Sequence, residues 1–410
     1  MKFKVKSILF LGVGGISMHQ LALAFKQMGV NVYGYDAKES KYLEICKQNG
    51  IQTTNKFRKD FCMVDLCVKT PAIKDDNKYV KALNSVNIKI VDRAEMLGWI
   101  CTQFKQVIAV AGTHGKSTTA SLIYEILRVA GKKVSCHIGA DVFAPRFNVA
   151  DEYLVVEACE YNKSFLKLHP NISVVTNIEA EHMDSYKSLF QLRSAFITFL
   201  KRANKRYVFK SKSTQFLNKY KSINFVSTSN LKFSPKIKGD YNLKNIYLAA
   251  KVCADMGVSD TFITKAVNSF IGIPRRYEHI GNIQKTKIYI DYAHHPTEIA
   301  EFIKVFNKEF PNCLIVFQPH TYSRTKIFLN EFIKVLSSIK NLVIYKEYSA
   351  RENISQGVSA KELWLKVKEI NPNVQFCVNT KKLAQELNNY SAVAFVGAGD
   401  INLVAQKLIR

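Results

Sequence analysis

The chain has 410 residues, of which 47% are apolar and 11% aromatic, and it carries a formal charge of +26. That length calls for about two to four domains and excludes a fold with one small core. The basic residues are scattered through every segment, and the densest run, Lys201-Arg202-Ala203-Asn204-Lys205-Arg206, has little aromatic interleaving, so the charge reads as solvated surface in preference to an organised nucleic-acid groove.

Nine cysteines form no CxxC pair, and the closest spacing, Cys62 to Cys67, lies in a strand-like run, so reduced thiols of a cytoplasmic protein are expected. The start, Met1-Lys2-Phe3-Lys4-Val5-Lys6 followed by Ile8-Leu9-Phe10-Leu11, runs straight into Gly12-Val13-Gly14-Gly15 and reads as a first strand, not a signal peptide. No apolar run reaches the ~18 residues of a membrane span.

Residues 7–11 predict a strand, 19–28 a helix ended by Gly29, 30–35 a strand ending at Asp36, and 64–68 another strand, the pattern of a parallel α/β domain. The turn Gly12-Val13-Gly14-Gly15-Ile16-Ser17-Met18 follows the first strand, where a Rossmann-type fold holds a diphosphate. Ser17 stands where the strict GxGxxG pattern has its third glycine.

Next, Val107-Ile108-Ala109-Val110-Ala111 leads into Gly112-Thr113-His114-Gly115-Lys116-Ser117-Thr118 and a helix-compatible stretch over 120–127. The N–H groups freed by the turn and the positive end of the helix face an anion, Lys116 supplies a point charge, and Ser117 can place its hydroxyl on Mg²⁺. Val110 stands where the pattern GxxxxGK[ST] has its first glycine, so this is a shorter phosphate loop. A strand over 153–156 ends in Glu157, a hard oxygen ligand placed for Mg²⁺, with Glu160 as a competing carboxylate. The strand over 172–176 leads to Asn177-Ile178-Glu179-Ala180-Glu181-His182-Met183-Asp184. Residues 201–238 are polar, basic and weakly periodic, and Gly239-Asp240-Tyr241-Asn242-Leu243-Lys244-Asn245 opens a helix over 246–254 with an asparagine cap.

The last third begins at Gly272-Ile273-Pro274-Arg275-Arg276-Tyr277-Glu278, where paired guanidinium groups suit bidentate phosphate contacts. A strand over 288–290 delivers Asp291-Tyr292-Ala293-His294-His295-Pro296-Thr297-Glu298. Adjacent histidines on a strand point to opposite sides, which argues against a shared metal. They read as positioning groups. A strand over 314–317 ends in Gln318-Pro319-His320-Thr321-Tyr322-Ser323-Arg324-Thr325.

These motifs, in this order over essentially the whole chain, resemble those of the Mur ligase family, which joins amino acids to peptidoglycan precursors. A histidine before the second glycine of the phosphate loop is similar to the branch that adds L-alanine. The resemblance implies three α/β domains: a Rossmann-like UDP-binding domain (1–102), a central P-loop ATPase (103–272) and a Rossmann-like C-terminal amino-acid domain (273–410). It implies that the lactyl carboxylate of UDP-N-acetylmuramate takes the γ-phosphoryl group of ATP and that the amine of L-alanine attacks the acyl phosphate, with ATP and Mg²⁺ as cofactors.

Carried residue by residue, the resemblance assigns Gly12, Gly14, Gly15, Ser17, Met18 and Asp36 to the UDP-sugar, with Thr70-Pro71-Ala72-Ile73 near the uridine side. Gly112, Thr113, His114, Gly115, Lys116, Ser117, Thr118, Asn245, Arg276 and Asp291 go to ATP, Asn245 at the adenine and Arg276 at the γ-phosphate. Ser117, Glu157 and His182 are the implied metal ligands, Tyr292, His320 and Arg324 the amino-acid site, and Lys116, His182, Arg276 and His294 the catalytic set. Arg193 stands near where several relatives carry a carbamylated lysine, so that feature is not carried over. Expected partners are the two substrates, without nucleic acid or membrane insertion, in a monomer or homodimer. One rival is a ligase attaching a tripeptide to the same sugar nucleotide; another is a basic P-loop protein binding nucleic acid, supported by the charge alone.

Overall fold

The structure, a computed structural model, describes residues 5–141, 147–181, 183, 185–228, 233–350 and 352–409. Its β-branched apolar runs become strands buried on both faces, which is why they read as continuous hydrophobic stretches, and helices cover them.

The first sheet contains β1 (Ser7–Leu11), β2 (Asn31–Tyr35), β3 (Gln52–Thr54), β4 (Leu66–Lys69) and β5 (Lys89–Asp92), all parallel in the order β3-β2-β1-β4-β5. The order reverses at β1, so the crevice where such sheets bind ligands opens at its C-terminal end, at the glycine turn. The cysteine pair expected in one strand is divided: Cys67 lies in β4, and Cys62 belongs to the 3-10 turn Lys59–Met63.

The second sheet contains β6 (Gln106–Ala111), β7 (Val134–His137), β8 (Tyr153–Glu157), β9 (Ile172–Val175), β10 (Lys205–Phe209) and β11 (Asn224–Val226), again parallel, in the order β11-β10-β9-β6-β8-β7. β10 and β11 fall in the stretch read as polar, basic and weakly periodic. Only Tyr207, Val208 and Phe209 of β10 are buried behind an exposed Lys-Arg start, and β11 is a three-residue edge, too short to show a period.

The third sheet contains β12 (Glu278–Ile283), β13 (Thr286–Asp291), β14 (Cys313–Phe317), β15 (Leu342–Tyr345), β16 (Gln375–Cys377) and β17 (Ala392–Val396) in the order β12-β13-β17-β14-β15-β16. Only β12 is antiparallel to its neighbour.

The chain divides into two compact units, 1–235 with 242–270 and 236–241 with 271–410. In the first, one apolar cluster runs through both sheets, joining Met96, Leu97 and Ile100 of helix Arg93–Cys101 to Phe165, Leu168, Phe196 and Phe199. A Cβ on Gly98 would lie 2.1 Å from the Lys167 carbonyl oxygen, so only glycine lets that helix approach so closely. In the second unit, Phe302, Phe306, Phe317 and Phe332 pack one face of the sheet and Ile288, Val316, Val393 and Phe395 the other. The helix expected over 246–254 spans Asp240–Asp255, so Asn245 lies inside it and does not cap it. No helix among the described residues is long and apolar enough to cross a membrane.

Candidate functional site

β6 ends at Ala111, and four residues separate it from helix Lys116–Val129. The loop between them needs both glycines: Gly112 has φ +143° and a Cβ there would fall 2.0 Å from Thr176 Oγ1, while Gly115 has φ +79° and a Cβ would meet Asn245 Oδ1 at 2.4 Å. Asn245 therefore lies directly against the loop. The stretch after β9 fixes the other side. Thr113 N–H donates to the Asn177 carbonyl (3.1 Å), His114 N–H donates to Asn177 Oδ1 (2.9 Å), and Thr176 Oγ1 donates to the His114 carbonyl (2.6 Å). The His114 ring stands 3.6 Å from the Glu179 carboxylate.

Lys116 Nζ donates to the carbonyls of Gly112 (2.6 Å) and Thr113 (3.0 Å) and to Glu160 Oε1 (3.1 Å). Burial, the largest single influence, pulls its pKa down, but the surrounding negative groups, Glu160 first and then Cys159, Glu181 and Glu157, together leave it above the ordinary lysine value. Glu160 is 1% exposed, and burial raises its pKa although Lys116 acts the other way. Glu157 does something different: its Oε2 accepts from Ser117 Oγ and from Gly139 N–H, both at 2.9 Å. Of the two competing carboxylates, Glu160 takes the lysine and Glu157 the hydroxyl. A hydroxyl and a carboxylate side by side at a phosphate loop are the hard donors that suit Mg²⁺. Thr118 is buried on the helix. His182 lies outside the described residues.

At the first glycine turn, Gly12 N–H donates to the Tyr35 carbonyl (2.7 Å) and Gly14 N–H to Asp36 Oδ2 (2.9 Å), while Ser40 Oγ donates to the Gly14 carbonyl (3.0 Å). Asp36 thus shapes the turn, and its other oxygen accepts from Lys38 N–H (3.1 Å). Gly15 precedes helix Ile16–Gln27. Ser17 Oγ is held between His137 Nε2 (2.8 Å) and Arg93 Nη1 (2.9 Å). The Met18 side chain is 2% exposed in the core, which leaves only its backbone for a ligand.

In the second unit, β13 ends at Asp291, whose carboxylate accepts from Ala293 N–H and Tyr277 N–H, both at 2.7 Å. Burial pushes its pKa up to about 6 against the pull of Arg276. The histidines expected on a strand stand after it, in the loop, because β13 stops at Asp291. His295 caps helix Pro296–Glu309, accepting from Thr297 N–H at 3.3 Å. His294 Nδ1 lies 3.0 Å from the Tyr292 carbonyl and 3.4 Å from Glu298, and burial holds its pKa well below the ordinary value, so the ring is neutral.

The two arginines separate in role. Arg275 donates to the carbonyls of Gly397 (3.0 Å) and Gly399 (2.9 Å), a structural tie. Arg276 stands 3.6 Å from Glu298, with its guanidinium 5.1 Å from the centroid of the Tyr292 ring. Arg275 and Tyr277 both hold left-handed φ, +63° and +49°, a strain sustained by Arg275 N–H on Glu278 (2.6 Å) and Tyr277 N–H on Asp291. Arg324 Nη1 donates to His320 Nδ1 (3.0 Å), and burial with Arg324 pushes the His320 pKa down to about 4. The rings of His294 and His320 are 6.0 Å apart. Arg276, Tyr292, His294, His320 and Arg324 therefore converge, with Glu298 among them: two guanidinium groups and two neutral imidazoles, suited to a small anion carrying an uncharged amine.

Sequence reasoning missed Arg93, His137 and Glu298. Glu298 sat within a quoted motif without a role. His137 had one available signal, its place at the C-terminal end of a parallel strand, where ligands gather. Arg93 had none.

Three sequence models match the chain in order: "Mur ligase family, catalytic domain" over 7–105, "Mur ligase middle domain" over 110–219, and "Mur ligase, glutamate ligase domain" over 275–405. The UDP-N-acetylmuramate–L-alanine ligase of Caldicellulosiruptor bescii is 34% identical, over 96% of each chain. That of Acetivibrio thermocellus is 32% identical over 99% of this chain and 96% of its own. Among solved structures, the UDP-N-acetylmuramate-alanine ligase MurC of Thermotoga maritima superposes with a TM-score of 0.83 at 23% identity, covering 99% of this chain and 98% of its own.

Proposed function

The chain belongs to the Mur ligase family, and from that premise we propose that it is the ATP-dependent ligase that joins L-alanine to the lactyl carboxylate of UDP-N-acetylmuramate in peptidoglycan precursor synthesis. The observation that carries this reading is likeness along the full length, not at the phosphate loop alone, to ligases named for that reaction. We further propose 1–102, 103–272 and 273–410 as the UDP-sugar, ATP and amino-acid domains.

A carboxylate acylates an amine only once its oxygen has become a leaving group, and transfer of the γ-phosphoryl group achieves that. Such a transfer needs positioning and charge neutralisation, not a protein nucleophile. Lys116 and the N–H groups of the 112–118 loop serve the phosphates of ATP, Arg276 the γ-phosphate, and Asn245, seated on Gly115, the adenine side. Ser117 and Glu157 would hold Mg²⁺, with His182 as the further ligand; the ion supplies charge neutralisation at the phosphates. Glu160 keeps Lys116 charged and held. Asp36 and the 12–18 turn serve the UDP-sugar, and Arg324, His320 and Tyr292 the L-alanine. His294, neutral, accepts the proton lost by the attacking amine.

The test follows one oxygen. Substrate labelled with ¹⁸O in the lactyl carboxylate is expected to pass one label into inorganic phosphate for each amide formed, alongside ADP. Unlabelled phosphate, or AMP and pyrophosphate, overturns the acyl-phosphate route. Running L-alanine against the tripeptide and against DNA in the same assay separates the rivals.

A further inference from the structure

Between the first two sheets, inside the first compact unit, stands a polar group to which the reaction above gives no part. Arg93 opens helix Arg93–Cys101, and its Nη1 donates to Ser17 Oγ at 2.9 Å. Among the described residues no carboxylate forms an ion pair with it; burial lowers its pKa, and Cys159, Glu157 and Asp92 act on it only through space. His137, at the end of β7, is 3% exposed, and burial together with the Arg93 charge pushes its pKa down to about 3, so the ring is neutral. Its Nε2 lies 2.8 Å from Ser17 Oγ, and its Nδ1 has no hydrogen-bond partner among the described residues.

A guanidinium can only donate, so Ser17 Oγ accepts from Arg93 and keeps both a lone pair and its hydroxyl proton, either of which serves the bond to His137 Nε2 according to the imidazole tautomer. His137 thus orients Ser17, and Ser17 orients Arg93. Ser17 is also the residue at the third-glycine position of the first turn, where a glycine would leave the guanidinium unheld. It is the second residue of helix Ile16–Gln27, beside that helix's free N–H groups. A half-buried guanidinium whose partner is one hydroxyl is a costly arrangement unless an anion completes it.

We propose that Arg93, aimed by Ser17 and His137, binds an oxyanion of the sugar nucleotide, and that His137 is a positioning residue for that contact. The proposal rests on the sugar-nucleotide reading of the first glycine turn. The diphosphate and the lactyl carboxylate each present two adjacent anionic oxygens, which a guanidinium fork receives.

The experiment is calorimetric titration of the full chain with UDP, UDP-N-acetylglucosamine, UDP-N-acetylmuramate and, separately, ATP. Arg93→Ala is expected to weaken sugar-nucleotide binding by roughly 10- to 100-fold, the scale of a charged hydrogen bond, with ATP unchanged. Arg93→Lys should fall between, and it carries the test if the alanine variant does not fold. His137→Leu should weaken the same ligands less, and His137→Gln, whose amide can donate to or accept from Ser17, should restore them. Equal weakening of all three uridine ligands identifies the diphosphate; weakening of UDP-N-acetylmuramate alone identifies the carboxylate. Folded Arg93 variants that bind all three as wild type does, or that lose ATP equally, overturn this inference while leaving the ligase reading intact. Wild type that binds none of the three overturns the sugar-nucleotide reading and this inference with it.

Discussion

Two of the chain's glycine turns, 12–18 and 112–118, each join a central parallel strand to a helix, and they would meet an anion in opposite ways. The 112–118 loop carries its own cation. Lys116 sits at the helix start, folds back on the carbonyls of Gly112 and Thr113, and finds Glu160 buried beneath it. The 12–18 turn contains no charge: its glycines are shaped by Asp36 and Ser40, and its nearest cation, Arg93, arrives from another helix and is aimed through Ser17 by a histidine of the next sheet. A turn with its own lysine announces itself in sequence, whereas a turn that borrows an arginine does not. The first can be read as a motif and the second only as a neighbourhood.

That contrast is broken most directly at Lys116. Lys116→Ala is expected to reduce kcat/KM for ATP by roughly 10²- to 10³-fold, the scale of a lost charge contact to a transferring phosphate, with sugar-nucleotide binding kept. Activity within tenfold of wild type would remove the loop from the mechanism.

The two carboxylates beneath that loop sharpen the comparison next. Glu157→Gln should raise the Mg²⁺ concentration needed for half-maximal turnover by about tenfold or more, since it removes a charged oxygen ligand while keeping size. Glu160→Gln should leave the Mg²⁺ requirement near wild type and instead lower thermal stability, because it strips a held lysine of its counter-charge. The reverse ranking would exchange their roles.

The smallest effect concerns the borrowed arrangement and pH. His137 has a folded pKa of about 3 against an ordinary 6.5, so the unfolded chain takes up the proton first as pH falls. Its contribution is complete above pH 6.5 and is lost progressively toward pH 3. Between pH 6.5 and 5 that amounts to about 2 kcal/mol. His137→Gln cannot titrate, so its stability should decline less than wild type's over that interval in denaturant melts; identical slopes would show that the imidazole is not the group responsible.

Much of the fold was legible because its information is local. Buried parallel strands such as Val107-Ile108-Ala109-Val110-Ala111 and Cys313-Leu314-Ile315-Val316-Phe317 are apolar on both faces and cannot be mistaken for surface. β10 and β11 were not legible, since a five-residue strand with a charged start and a three-residue edge carry too few buried positions to show a pattern. The histidine pair was misplaced by one element end: the Asp291 carboxylate bonds the Ala293 N–H, turns the chain out of the strand, and frees His295 to cap a helix.

By itself, then, the sequence determined the identity of the loops. Glycines at 112 and 115 and Lys116 with Ser117 are dictated by backbone angles, by the room left beside Thr176 and Asn245, and by charge, all expressed within a few residues. Which carboxylate takes Lys116 and which Ser117, which arginine is tied to Gly397 and Gly399 and which faces Glu298, and what Ser17 touches were decided only by the tertiary structure. Those choices depend on which side chains the strand order brings within about 3 Å of one another, a hydrogen-bonding distance. That order joins Arg93 and His137 across two sheets and 44 residues of chain, a separation over which no local pattern can carry the signal.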